Sequence, residues 1–527
     1  MKRPKPKSKR QGMTSVVPKM PPKKPWAKRA AEKGETAGVF QEMHTSGAKA
    51  LVDPIAFLPG INPRPTARTS SSETCLTPAA SPSNAPNESS SVEKISHSAQ
   101  TQLVEIVKPI YGGAFLARVE GKAVFVPLTL PGEQVRIRIA QDKRGYSTAE
   151  PEEILTPSPV RIAPQCPHFG ICGGCNYQHT GYDTQLAFKQ TILRETLERA
   201  GVQAPQEISV LAANPQSREW AYRNRIRLAF DAQGNLGYRG RRSHAVISIR
   251  ECPIAAPLLV HAALASAEII RNLQWSPRPT EISFFSNADE SALLASATTS
   301  SRDPGRFEHW ARALAERIPA LAGAELIAQA PEGKRMRTIR EWNWGSHSIS
   351  YRAAGFDYRV DRGAFFQVNR WLIDALVERV TAGQSGQLAW DLFAGVGLFA
   401  RKLTSQFDRV VAVESASASK AALEHNLQGT AAEAIHAETL AFLRRHMKEK
   451  PDLVVVDPPR AGLGPDITTL LAEIAAPKLV YVSCDPATLA RDLRPLGASG
   501  YQIQSLTLAD LFPQTFHLET VVHLRRS

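Results

Sequence analysis

Cysteine is scarce, with six in 527 residues. That is too few for a scaffold held by disulfides and points to a reducing compartment, where clustered thiols bind metal instead. Long hydrophobic runs are missing too. The most apolar stretch, residues 255–270, is interrupted by His261 and Glu268, and nothing reaches the roughly 20 uninterrupted residues that cross a bilayer as a helix. The basic start has no apolar segment of the kind that makes a secretory signal. Acid is almost absent there, since residues 1–33 hold twelve Lys and Arg against Glu32 alone. The bulk composition, 43% apolar and 22% charged, excludes wholesale disorder. These absences point to a soluble, basic, multi-domain protein of the cytoplasm without a membrane association; a monomer is the separate expectation for its assembly.

The net charge of +14 suggests nucleic acid, but eleven of those charges fall in residues 1–33. Prolines interrupt that stretch, and residues 66–98 turn to Ser, Thr, Pro and Asn with few large apolar residues. Such a segment cannot bury enough surface to offset its ordering entropy. Residues 1–98 therefore read as a disordered cationic arm, equally compatible with RNA contact and with a solvated tail, and Cys75 within it has no evident role.

Short β-rich runs at 103–107, 115–119, 123–127 and 134–140, separated by glycine turns, predict a small OB-like barrel over 99–157. A helix is expected over 183–201, opened by Asp183 and closed by Gly201. Residues 218–250 read as paired strands carrying eight arginines against Glu219 and Asp231, with Trp220, Tyr222 and Tyr238 among them. Such a face suits phosphate tracking, or is a solvated outer surface. Cys166, Cys172 and Cys175, with Cys252 77 positions further on, form a four-thiolate set that fits zinc or an iron–sulfur cluster by spacing. Residues 158–349 are thus expected to form an α+β central region.

Beyond residue 350 strands and helices alternate, with apolar runs at 388–393, 409–414, 453–457 and 479–484. The pattern predicts an α/β, Rossmann-like domain on a parallel sheet over 350–527. Its chemistry-bearing residues cluster at strand ends. Asp391-Leu-Phe-Ala-Gly395-Val-Gly397 is a glycine turn entering a helix, and Glu414 ends the next strand, placed for ribose hydroxyls. Val456-Asp457-Pro458-Pro459-Arg460 puts a carboxylate and a rigid turn at the same edge. Ser483-Cys484-Asp485-Pro486 puts a cysteine before a helix start, where a thiol ionises more readily. Each motif alone also has a plain structural reading: a tight turn, a loop, an inert core cysteine.

Taken together, in this order, with Gly363-Ala-Phe-Phe-Gln367-Val-Asn369 before them and Phe512-Pro-Gln-Thr-Phe-His517-Leu-Glu519 after, the motifs resemble the S-adenosylmethionine-dependent RNA 5-methyluridine (uracil-C5) methyltransferases. The resemblance covers roughly residues 100–527 and is to the 23S rRNA branch with a TRAM barrel and a [4Fe-4S] cluster. It implies Cys484 as nucleophile and Glu519 as base, with Gln367, Phe393, Glu414 and Asp457 on S-adenosylmethionine. It also implies Cys166, Cys172, Cys175 and Cys252 on the cluster, zinc being the alternative. RNA would be held by the barrel, the 218–250 stretch and the arm. Capping by Gln367 and Asn369 of the following helix, and a surface strand position for Glu519, are the plain alternatives. Rival functions are the same reaction on tRNA, a non-catalytic RNA-binding factor, and an adenine-amino methyltransferase, whose Asn-Pro-Pro-Tyr differs from Asp457-Pro-Pro-Arg460. Two departures stand out: Asp485 where the family commonly has Asn, and Gln514 where it commonly has His. A carboxylate beside a thiolate opposes its ionisation.

Overall fold

The computed structural model describes residues 101–213, 218–332 and 335–527. The cationic arm and Cys75 lie outside the described residues. Five strands come first: β1 (Thr101–Pro109), β2 (Ala114–Val119), β3 (Lys122–Pro127), β4 (Gln134–Asp142) and β5 (Tyr146–Thr156). They close into a barrel in the order β1-β2-β3-β5-β4. Alternation drives it, because Val104 and Ile106 point inward between exposed Leu103, Glu105 and Val107. Phe115, Val124, Val126, Val135 and Ile137 complete the interior. The closing strand β5 was not evident from sequence. It carries Pro151 and few large apolar residues, and the ladder absorbs the proline at a register shift beside Ile137.

After the cysteine segment come α1 (Tyr182–Arg199) and β6 (Ser209–Leu211). α1 is capped by Gly181 without a side-chain bond, so Asp183 lies inside the first turn instead of forming the cap. A seven-stranded sheet then builds from β7 (Arg225–Phe230), β8 (Leu236–Arg239), β9 (Val246–Ser248), β10 (Glu281–Ser286), β11 (Leu293–Thr299), β12 (Leu321–Glu332) and β13 (Arg335–Gly345). Its order is β13-β12-β11-β10-β7-β8-β9. Helices α2 (Pro257–Asn272) and α3 (Phe307–Arg317) pack on it through Leu259, Ala262, Ile269, Trp310 and Leu314. The apolar stretch at 255–270 is therefore the buried face of α2.

The last part contains the hairpin β14 (Ser348–Ala353) and β15 (Phe356–Asp361), then α4 (Ile373–Thr381), β16 (Gly386–Leu392), α5 (Leu398–Leu403), β17 (Phe407–Glu414) and α6 (Ser417–Leu427). It continues with β18 (Ala432–His436), α7 (Thr439–Arg445), β19 (Leu453–Val456), α8 (Gly464–Ile474), β20 (Lys478–Ser483), α9 (Pro486–Ala498), β21 (Tyr501–Ala509) and β22 (Glu519–Arg526). The sheet order is β18-β17-β16-β19-β20-β22-β21-β6. The expected parallel sheet is present from β18 to β20, but β22 runs antiparallel to both β20 and β21. Strands β21 and β22 are joined by residues 510–518 without a crossover helix, so they must pair antiparallel. Both faces are covered. Val410, Ala412, Val455 and Val480 face one core, while Val411, Val413, Val454 and Val456 face the other, so these strands read as continuous apolar runs.

This layer also recruits chain from far upstream. α1 buries Ile192, Leu193 and Leu197 in the same core as Trp390 and Leu493, and β6 pairs with β21. The stretch 158–349 thus does not fold as one block, because α1 and β6 belong structurally to the last sheet. Among the described residues no helix is long and apolar enough to cross a membrane.

Candidate active site at the carboxyl edge of the sheet

Strand register lines up the motif residues. Leu392 pairs with Val413 on one side and Val456 on the other, and Val456 pairs with Tyr481. Phe393, Glu414 and Asp457 therefore stand side by side just past the ends of β16, β17 and β19, while β20 runs on to Ser483, so Cys484 lies two residues beyond that row. Across the next pair, Ser483 faces Thr520. Cys484 follows Ser483 and Glu519 precedes Thr520, so the two flank one rung of the ladder, and Glu519 itself pairs with Ala509 of β21. Residues 35 positions apart in the chain are thus brought to one end of the β20–β22 pairing, and both are buried, Cys484 at 2% and Glu519 at 0% exposure. The reading of Glu519 as a surface strand residue is thereby excluded.

At the β16 end the backbone turns sharply. Phe393 adopts a left-handed conformation (φ 67°), as do Gly395 and Gly397. A phenylalanine in that region is strained and persists only where the surroundings over-determine it. One determinant is Glu414, whose carboxylate accepts from the Gly395 amide at 2.8 Å and from Ala416 at 2.5 Å. Beneath the turn, Asp391 is fully buried and accepts from the Ala400 amide at 2.8 Å. Burial pushes its pKa up to about 8, with Asp457 and Glu414 adding to the rise. Gln367 reaches the same edge from the loop after β15 and donates to Asp457 Oδ2 at 3.3 Å. Its own carbonyl accepts from Asn224. Gln367 and Asn369 do not cap the next helix. Asn369 accepts from the Trp371 amide and donates to the Leu511 carbonyl, tying this loop to the one before β22.

Around the thiol, Asp485 is the N-cap of α9, accepting from the Ala487 and Thr488 amides at 3.0 Å. The helix begins at Pro486, one residue earlier than the sequence suggests. The carboxylate next to the thiol is thus engaged by backbone donors at a helix start. Arg460, from the Pro-Pro turn, bonds His517 at 2.9 Å. Gln514, at φ 67°, forms a reciprocal pair with Gln185 of α1 (2.9 Å each way), and its carbonyl accepts from the Asn176 and Tyr177 amides. Lys189 of α1, fully buried, meets Asp510 at 2.5 Å and the Phe512 carbonyl at 3.0 Å. These α1 contacts, and Tyr111 from the barrel, have no local signal in the sequence, because their partners lie hundreds of positions away.

The four cysteines of the spaced set come together. Cys166, Cys172, Cys175 and Cys252 are all free and each lies within electrostatic reach of the other three. Burial raises the Cys166 thiol, pushes Cys172 up to about 11 and Cys175 higher still. Cys172 bridges to Gly240, and Tyr238 donates to Cys252 Sγ at 3.7 Å, so β8 and the residues after it back the thiols. Among the described residues no group of three or more His, Cys, Asp or Glu is arranged to hold a metal ion. By chemistry alone, four thiols are the donor set that soft metals take.

The arginine stretch is less free than its composition suggests. Arg241 and Arg242 pair with Glu150 of the barrel, and Arg227 and Arg239 with Glu281. Arg225 lies over the Phe285 ring at 4.5 Å and donates to the Ala364 carbonyl. Arg218 and Arg250 remain exposed.

A Rossmann-like sheet joined to a closed five-stranded barrel, with glycine turn, carboxylates and buried thiol at one sheet edge, is the architecture expected of an RNA-directed methyltransferase, and the comparisons with known proteins give that class. The family profile described as tRNA (Uracil-5-)-methyltransferase matches residues 306–527, and the TRAM domain profile matches 98–151. An uncharacterized RNA methyltransferase of Streptomyces avermitilis is 34% identical over 80% of this chain and 97% of its own. The 23S rRNA (uracil(1939)-C(5))-methyltransferase RlmD of Klebsiella pneumoniae is 31% identical over 79% of this chain and 93% of its own. The crystal structure of Pyrococcus abyssi tRNA (uracil-54, C5)-methyltransferase with S-adenosyl-L-homocysteine shares the fold. Its TM-score is 0.64 at 24% identity, over 80% of this chain and 99% of that one. The chain belongs to the TRAM-containing RNA (uracil-5-)-methyltransferase family, a family of S-adenosylmethionine-dependent enzymes.

Proposed function

We propose that the protein methylates carbon 5 of a specific uridine in 23S rRNA. The observation that carries this reading is the cluster of motif residues at one sheet edge: Glu414, Phe393 and Asp457 in a row, with buried Cys484 and Glu519 flanking the Ser483–Thr520 rung. Relatives named as 23S rRNA enzymes, 30–31% identical over most of the chain, support the choice of RNA. S-adenosylmethionine, held by Gln367, Phe393, Glu414 and Asp457, supplies a methyl group on a sulfonium. Carbon 5 of neutral uracil is too weakly nucleophilic to take it unaided. The Cys484 thiolate adds to carbon 6, breaking the 5,6 double bond and making carbon 5 enolate-like. Carbon 5 then bonds to the methyl while S-adenosylhomocysteine leaves. Glu519 removes the carbon 5 proton, the double bond re-forms, and the thiolate is expelled. The base must leave its stack to reach the buried thiol.

Cys166, Cys172, Cys175 and Cys252 hold a [4Fe-4S] cluster in this reading. Four thiols that are mutual neighbours supply the soft donor set such a cluster takes, and zinc is the alternative. Its role is structural, fastening the segment that carries Asn176 and Tyr177. The test of the chemistry is RNA containing 5-fluorouridine, which has no removable proton at carbon 5. Wild type should form a complex that survives denaturing electrophoresis, and a Cys484→Ala protein that still formed it would sink the assignment. Mapping 5-methyluridine in rRNA and tRNA from cells lacking the gene identifies the substrate.

A further inference from the structure

The turn between β1 and β2 reaches out of the barrel into the methyltransferase part. Tyr111 donates from its hydroxyl to Asp485 Oδ2 at 3.2 Å, and its ring meets Phe516 edge-on at 5.5 Å. Gly112 and Gly113 follow with φ of 105° and 83°. A Cβ on Gly113 would stand 2.8 Å from the Asn176 side chain, so only glycine lets the turn seat against the cysteine segment. Tyr111 packs against both the barrel core and the sheet core that contains Tyr481 and Leu489. Burial keeps its hydroxyl protonated, the charges of Asp485 and Cys484 reinforcing this and Arg460 opposing it.

We infer that Tyr111 is a positioning residue for the nucleophile. Its hydroxyl anchors the Asp485 carboxylate in the capping position and draws charge density away from the adjacent thiol, so that the barrel must be seated for Cys484 to ionise readily. This rests on Cys484 being the nucleophile. Four donors share Asp485: the Ala487 and Thr488 amides and the Thr488 hydroxyl on Oδ1, and Tyr111 on Oδ2. Tyr111 is the one supplied by another part of the fold, and removing it leaves Oδ2 without that donor beside the thiol. The other charged or titratable groups at this end are Arg460, Arg491, His517 and Glu519, none of which a Tyr111→Phe change alters.

The experiment is the pH dependence of Cys484 alkylation by iodoacetamide in the full-length protein, followed by peptide mass spectrometry. It uses neither RNA nor a methyl donor, so it remains interpretable if the methylation reading fails. Tyr111→Phe should move the midpoint up by roughly half a pH unit, about a threefold loss of thiolate below the midpoint. Asp485→Asn, which retains a capping oxygen, should move it down, and Tyr111→Phe added to Asp485→Asn should move it no further. A Tyr111→Phe profile that overlays wild type overturns the inference. So does a shift that persists in the Asp485→Asn background, which also decides the matter if the single Tyr111 variant folds poorly.

Discussion

Glu519 and Cys484 have complementary duties in the proposed reaction, and only one of them is needed to open it. The thiolate makes the adduct, whereas the carboxylate acts after methyl transfer, when the carbon 5 proton must go. Glu519→Gln should therefore accumulate a covalent complex on ordinary uridine RNA in the presence of S-adenosylmethionine, where wild type shows none at steady state. Turnover should fall by roughly 10²- to 10⁴-fold, the usual worth of a general base. Denaturing gels with labelled RNA and methyl donor check it; loss of both adduct and product would assign Glu519 to an earlier step. Asp485 illustrates how a residue type misleads when read alone. Its carboxylate looks hostile to a neighbouring thiolate, yet as an N-cap it faces two amides and a phenol.

Helix α1 shows the same point at the scale of an element. Its sequence announces a helix, and its apolar spacing announces a buried face, but not which core receives it. In the fold it lies on the last sheet, and Gln185 and Lys189 grip the loop that leads to Glu519. The Lys189–Asp510 pair has no exposed side-chain surface on either partner, and burial pulls the Lys189 pKa down while Asp510 holds it up. Breaking such a pair leaves an uncompensated buried charge at a cost of about 3–5 kcal/mol. Lys189→Met should lose that much in urea unfolding, while Lys189→Met with Asp510→Leu should recover part of it. A single variant as stable as wild type would show that the pair is not carrying this load.

Across the whole molecule, the cysteine segment is the joint between parts. Cys166, Cys172 and Cys175 follow the barrel, Cys252 follows β9, and Asn176 and Tyr177 bond the loop before β22. A cluster held by these four cysteines would close a loop from 166 to 252 and fasten barrel, central sheet and site together. Protein purified without oxygen should be brown and contain iron, and Cys252→Ser should lose the iron and melt at lower temperature. Stoichiometric zinc in the anaerobic protein would overturn the cluster. The net charge matters less than its total suggests, because most of it lies in residues 1–33, and four central arginines share Glu150 and Glu281, which offset half of their charge.

The linear chain by itself determined the strand-end motifs, the barrel's alternation, the close spacing of Cys166, Cys172 and Cys175 and the alternating strands and helices, since each depends on residues near one another in the chain. It did not reveal β5, whose proline and polar content hide its pairing, nor the antiparallel β22, whose direction follows from how the 510–518 connection returns. Only the tertiary structure decided that Cys484 and Glu519 flank one rung of the sheet, that Asp485 is a cap, that α1 and β6 join the last sheet, and that a barrel tyrosine bonds Asp485. All of these depend on register and packing between segments distant in sequence, which local propensity cannot encode.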